Sequence, residues 1–324
     1  MASKRIKYFL IVLSLIAPQA IVAADFRLPE NPGDSLIGDK MSSGQSHPDE
    51  HFYTTAKEED TLLDIARQFN LGQTEIILAN PTVDRWLPKE GTRVRIPNAR
   101  LLPNAPRKGV VINLPEYRMY YYSGDGSHTV TTHPISIGRL DWKTPLGKTR
   151  IATKTRNPTW TPPESIKREH AERGDFLPNV VPAGPDNPLG LYAMRLGVPG
   201  YLIHSTNKPF GVGMSVTHGC IRMYPEDIEK LFPRVSVGTD VYIVNQPIKV
   251  GWYKNTLYVE IHQTLTDEPA PYKTKLEQAL DLIIKANNQE LPVINGAALK
   301  GALERRDGRP IAIYTRLQDL TASQ

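Results

Sequence analysis

The residues best equipped for chemistry lie in Thr217-His218-Gly219-Cys220-Ile221-Arg222-Met223, which holds the only cysteine of the 324-residue chain. A thiol attacks as its thiolate, and a free pKa near 8.5 leaves little of it ionised at neutral pH. An imidazole within reach takes the proton and activates the sulfur. Two histidines qualify. His218 is two residues away, and its direction depends on the local turn. His204 ends the apolar run Tyr201-Leu202-Ile203, sixteen residues upstream of the cysteine. A base on a rigid strand facing a nucleophile on a loop is the more usual design, so His204 is the expected base. Gly219 permits a tight turn and lets backbone N–H groups point at an incoming carbonyl oxygen. This pattern predicts a cysteine nucleophile of the acyl-transfer type, with Cys220 attacking and His204 as general base and acid.

The elements that must carry these groups begin with an address. Lys4, Arg5 and Lys7 precede an apolar stretch from Tyr8 to Ala17, and small residues follow at Ala20, Ala23 and Ala24. Residues 1–24 read as a secretory signal peptide cut after Ala23 or Ala24. The stretch is short for a membrane span and Pro18 interrupts it, so the mature chain is expected to have no transmembrane segment. Without the leader the formal charge falls from +5 to +2, which gives no footprint for nucleic acid. The expected compartment is outside the cytoplasm. There a single cysteine has no internal disulfide partner; the other reading is a buried, inert thiol, and it is the flanking residues that favour a reactive Cys220.

Residues 25–50, rich in Pro, Gly, Ser and Asp, are expected to be a flexible leader. Residues 51–97 read strand–helix–helix–strand. The strands are His51 to Thr55 and Thr92 to Ile96. The first helix begins at a capping-type Asp60 and the second at Thr74, with Asn80-Pro81 as its stop. A Pro-rich linker, 98–107, is expected to tether this unit to residues 108–246. That region is mostly short strands with Gly and Pro turns, and predicts a β-sandwich or partial barrel. Within it, 156–189 is proline-dense and reads as a lid-like insertion beside the site. A tail, 247–324, combines strands at 251–261 with a helix near 272–286 in a small α+β subdomain. The expected fold class is thus mainly β, with a small α+β unit on either side.

Two family resemblances refine this. Glu59-Asp60-Thr61-Leu62, Ile65-Ala66, Phe69, Asn80-Pro81 and Leu87…Gly91…Ile96-Pro97 resemble a LysM module, which implies binding to N-acetylglucosamine-containing glycan such as peptidoglycan. Gly138-Arg139, Trp142-Lys143-Thr144-Pro145-Leu146-Gly147, Pro185-Asp186-Asn187-Pro188-Leu189-Gly190, Ile203-His204-Ser205-Thr206 and Ser215 to Arg222 resemble the L,D-transpeptidase (YkuD-like) catalytic domain. The domain order is similar to the enterobacterial enzymes that anchor the major outer-membrane (Braun) lipoprotein to peptidoglycan. The resemblance implies Cys220 as nucleophile, His204 as base, and Ser205 as the residue whose backbone carbonyl orients His204. It also implies an oxyanion hole from the backbone around Gly219, and His218 and Arg222 lining the substrate pocket. Other readings of the last two are a turn brace and a partner for a domain carboxylate.

The implied location is the periplasm, with no cofactor and no metal. The implied donor is a peptidoglycan stem tetrapeptide. Its diaminopimelate acyl group passes to Cys220 with loss of D-Ala, and then to the lysine of the lipoprotein. Alternative acceptors are a second diaminopimelate amine, giving a 3–3 crosslink, and water, giving an L,D-carboxypeptidase. A non-catalytic wall-binding protein is the remaining alternative.

Overall fold

The computed structural model describes residues 24–38, 52–266 and 271–316. The signal peptide expected at the start lies outside these residues up to position 23, as do His51 and residues 39–50 of the leader.

The chain opens with two short strands, β1 (Ala24–Arg27) and β2 (Leu36–Ile37). The βααβ unit follows: β3 (Phe52–Thr55), α1 (Leu62–Gln68), α2 (Gln73–Ala79) and β4 (Arg93–Ile96). β5 (Arg100–Leu101) leads into β6 (Gly109–Asn113), β7 (Arg118–Tyr122), β8 (Thr129–Gly138) and β9 (Gly147–Arg156). Helix α3 (Glu164–Ala171) precedes β10 (Tyr192–Leu196), β11 (Leu202–His204), β12 (Ser215–Thr217) and β13 (Ile221–Met223). Then come α4 (Pro225–Arg234) and β14 (Asp240–Val244). The tail holds β15 (Ile248–Tyr253), β16 (Thr256–Ile261), α5 (Tyr272–Ala286), α6 (Gly296–Arg305) and β17 (Ile311–Thr315).

The expected sandwich or partial barrel is a closed barrel. Its strands run β8-β13-β11-β10-β9-β14-β6-β7, and β7 pairs back onto β8. Closure removes the unpaired edges that an open sheet would leave. Val110, Ile112, Met119, Ile135, Ile151, Met194, Ile203, Ile221 and Val241 fill the interior, with Ile228 and Leu231 of α4 packed against them.

Three expectations change. The leader is not flexible where it is described: β1 adds to β8, with Phe26 opposite Val130, and Phe26, Leu36 and Ile37 are buried. Burial of these three apolar side chains offsets the ordering cost that a Pro/Gly-rich composition leads one to expect. The linker is no tether either. β5 pairs with β2, and Arg100, Leu101 and Leu102 are all buried. Finally, the insertion carries a helix, α3, entered directly after Pro163, and a bridge between Trp160 and Val181.

Within the βααβ unit the helix starts shift by a residue or two. Thr61, not Asp60, caps α1 in a reciprocal capping box with Asp64, and Gly72, not Thr74, precedes α2. Asn80 ends α2 as expected, donating to the carbonyls of Ile76 and Arg95 and accepting from the Arg95 amide. The unit is docked on the barrel by polar contacts, one buried and one at the surface. Asn70 donates to both carboxylate oxygens of Asp227 at 2.9 and 2.8 Å, and Arg67 forks onto Glu226 at 2.7 and 2.8 Å. The Gln73 amide donates to the Val212 carbonyl, and a Cβ on Gly72 would lie 2.7 Å from the Gly213 Cα. Backbones this close fix the unit in one orientation.

The tail is an antiparallel sheet, β15-β16-β17, covered by α5 and α6. α6 and β17 escaped the sequence reading; Asn295 caps α6 by accepting from the Ala298 amide. A buried ionic cluster joins this subdomain to the barrel. Lys249 Nζ sits 2.6 Å from Glu116 Oε1 and 2.7 Å from Glu260 Oε1, and His262 Nε2 lies 2.7 Å from that same Glu260 oxygen. Glu116, Glu260 and His262 are close enough to share a metal ion, but the Lys249 ammonium already supplies the positive charge between the two carboxylates.

Candidate active site

The barrel register sets His204 on the strand next to the one that follows Cys220. β11 and β13 are parallel neighbours, with Ile203 opposite Ile221 and His204 opposite Arg222. Ile203 and Ile221 point into the apolar core. Side chains alternate along a strand, so His204 and Arg222 take the other face. Cys220 immediately precedes β13 and its thiol is half-buried, 3.7 Å from the Gly200 carbonyl.

His204 is buried, and its Nδ1 lies 2.6 Å from the Ser205 carbonyl oxygen, so the ring donates there and Nε2 is left as the basic nitrogen. Burial, reinforced by the nearby Arg222 charge, lowers its pKa from 6.5 to about 3, against the opposing pull of the Ser205 and Leu189 backbones. Burial pushes the Cys220 thiol up; the Leu202 backbone, Arg222 and Arg195 work the other way. Both shifts favour the uncharged forms, a neutral thiol and a neutral imidazole.

Two glycines make the loop possible. Gly219 has φ +95°, and a Cβ there would sit 2.6 Å from Tyr201 Cε1. A Cβ on Gly190 would sit 2.6 Å from the Ser205 Cβ, so the Leu189-Gly190 turn closes directly on the residue that orients His204. The loop is braced further. Thr144 Oγ1 donates to the Gly219 carbonyl at 2.9 Å, and Thr217 Oγ1 donates to the Cys220 carbonyl at 2.6 Å.

Arg222 makes no ion pair with any carboxylate among the described residues, and its Nε is buried without a hydrogen-bond partner. That removes the structural reading of Arg222 and leaves an unpaired guanidinium near the sulfur. His218 does have a brace: its Nε2 is 2.6 Å from Glu169 Oε2 on α3, and Trp142 packs edge-on at 5.0 Å between ring centroids. Sequence reasoning missed Glu169, which lies in a proline-dense insertion with no motif around it. It also missed Asn187 as a support, although the Asp-Asn-Pro text around it was visible. Fully buried Asn187 donates to the Pro158 and Pro182 carbonyls and accepts from the Leu189 amide, pinning the insertion's exit beside His204.

The lowered His204 pKa has a consequence for stability. The unfolded histidine binds a proton near pH 6.5 and the folded one only near 3. The contribution is therefore complete above pH 6.5 and is lost as the pH falls towards 3. Between pH 6.5 and 4 the loss should be about 3 kcal/mol. Urea unfolding across that range is expected to show this acid limb in the native protein and a flatter one in His204→Gln.

Fold and site together define an acyltransferase built on a closed barrel with a cysteine at the mouth of one strand. The family model described as the L,D-transpeptidase catalytic domain, YkuD, matches residues 107–243. Full-length relatives agree. "Probable L,D-transpeptidase ErfK/SrfK" of Escherichia coli K12 is 39% identical over 307 residues, covering 92% of this chain and 94% of its own. "Probable L,D-transpeptidase YcfS" of the same strain is 40% identical over 271 residues, covering 81% and 83%. "Probable L,D-transpeptidase YbiS", also of that strain, is 36% identical over 300 residues, covering 90% and 92%. The chain belongs to the L,D-transpeptidase family and is an enzyme of that class.

Proposed function

We propose that this enzyme is a periplasmic L,D-transpeptidase that anchors the outer-membrane lipoprotein to peptidoglycan through a cysteine thioester. The observation that supports the reading is the strand pair that sets His204, with its Nδ1 2.6 Å from the Ser205 carbonyl, opposite Arg222, two residues after Cys220. In the first step Cys220 Sγ bonds to the diaminopimelate carbonyl of a stem tetrapeptide. Its proton passes to His204 Nε2 and on to the departing amine of D-Ala, as in nucleophile–base catalysis elsewhere. Backbone N–H groups around Gly219 bind the oxyanion. In the second step the ε-amine of the lipoprotein's C-terminal lysine attacks the thioester. The new amide forms, the C–S bond breaks, and the proton returns to sulfur. Arg222, unpaired, is available to a carboxylate of the peptide stem.

The βααβ unit is read as a LysM module that holds glycan. Its fixed docking makes it a second, rigid contact with the sacculus in place of a tethered one. Residues 1–24 are read as the export signal. Among the described residues no helix is long and apolar enough to cross a membrane.

The test is mass spectrometry of sacculi from cells carrying this protein as their only enzyme of the class. Lysine-containing lipoprotein remnants on tripeptide stems are the expected product. Diaminopimelate–diaminopimelate bridges would move the assignment to a crosslinking enzyme, and trimmed tripeptides alone to a carboxypeptidase. Unchanged stems would end it.

A further inference from the structure

Helix α3 of the insertion carries Glu169, the carboxylate that braces His218. Glu169 has only 17% of its side chain exposed and gathers three cationic or ring donors. Its Oε2 is 2.6 Å from His218 Nε2, and its two oxygens take a fork from Arg139 at 3.0 and 2.9 Å. Arg173, one turn on, adds a contact at 2.5 Å. Hydrogen bonds from Arg139 and His218 hold the Glu169 carboxyl at about 2, so it is charged throughout the working range.

Both partners outside α3 border the loop that carries Cys220. His218 is two residues before Cys220, with Gly219 between them. Arg139 follows β8, and its amide donates to the Thr217 carbonyl. A Cβ on Gly138 would lie 2.8 Å from the Gly219 Cα, so the segments after β8 and before Cys220 are in direct contact. One carboxylate thus reaches both walls of the loop that carries the nucleophile.

We propose that Glu169 is a positioning residue for the transpeptidase reaction, acting through His218. With Nε2–H donated to the carboxylate, the ring has a single tautomer and a single orientation, and Trp142 sets its plane. Among the described residues Nδ1 has no hydrogen-bond partner, so it is the nitrogen left free to meet an incoming group. The fork to Arg139 ties that orientation to the docking of the insertion, so the loop before Cys220 is fully braced only when α3 is seated. The inference rests on the transpeptidase reading for its kinetic consequence but not for its geometry.

The experiment is a cycle of Glu169→Gln, His218→Asn and the double variant. D-Ala release from a tetrapeptide stem would be measured with and without a lysine-ended peptide, alongside the thermal midpoint and the ring ¹⁵N shifts of His218. Glu169→Gln is expected to lower kcat about 10- to 100-fold, with KM within about twofold and the fold intact. In the His218→Asn background the same change should cost less than about twofold, because the two residues act as one. The ¹⁵N shifts should report an Nε2–H tautomer in the native protein and a mixture in Glu169→Gln. Equal losses in both backgrounds, or unchanged shifts, would overturn the proposal. An inactive native enzyme with the expected shifts would count against the transpeptidase reading and leave Glu169 as the orienting group.

Discussion

Cys220→Ala is expected to lower D-Ala release by about 10⁴-fold or more, with no loss of fold. The sulfur is half-buried at the end of a loop, and among the described residues its hydrogen bond is a long 3.7 Å contact to the Gly200 carbonyl. Losing it should therefore cost little stability. The reaction would lose its covalent intermediate, and the remaining groups can only bind. Because burial pushes the thiol up and the imidazole down, attack needs both partners in their neutral forms at the start. The rate should hold a plateau across neutral pH, with no acid limb near 6.5 of the kind an ordinary histidine would impose. Intact mass after exposure to a carbapenem gives an independent reading: one adduct on the native chain and none on Cys220→Ala. An adduct on the alanine variant would place the nucleophile elsewhere.

The largest effect on stability is expected at Lys249. Lys249, Glu116 and Glu260 are all buried, and the ammonium lies within 2.7 Å of each carboxylate. The Leu101 amide of β5 also donates to Glu260 at 2.5 Å, so barrel, linker and tail subdomain meet in this cluster. Lys249→Met would leave two carboxylates facing each other in the interior. Removing one partner of a buried ion pair costs about 3–5 kcal/mol. Urea unfolding should show that loss, and proteolysis should begin at the junction between barrel and tail. Lys273→Met is the contrast. Its contact with Glu277 is 3.9 Å long on a side chain 86% exposed, and such pairs contribute about 0.5 kcal/mol or less. Similar losses for both would mean that the cluster does not hold the subdomain.

What could be read from the chain depended on how local the signal was. The nucleophile loop was legible because a lone cysteine, a turn glycine and a strand-ending histidine are distinctive as residue types. The βααβ unit was legible because helical apolar spacing and an Asn-Pro stop are properties of adjacent residues. α6 and β17 were not, since Gly296 to Arg305 has a weak pattern and β17 exists through its pairing with β16. The leader and linker misled for a related reason. Their Pro- and Gly-rich text describes an isolated segment, whereas Phe26, Leu36 and Leu101 are ordered by partners more than sixty residues away.

By itself, then, the amino-acid sequence determined the strand-rich character and the family, and it singled out Cys220 and His204 as the candidates for the chemistry. Those follow from side-chain chemistry and short-range periodicity, which need no partner. Tertiary structure decided that the barrel closes, that the βααβ unit is fixed against it, that the thiol and imidazole rest uncharged, and that Glu169 reaches the catalytic loop from a distant insertion. Each of these is set by burial or by contact between segments far apart in the chain. Such effects arise only when the fold removes water and brings those segments within a few ångströms.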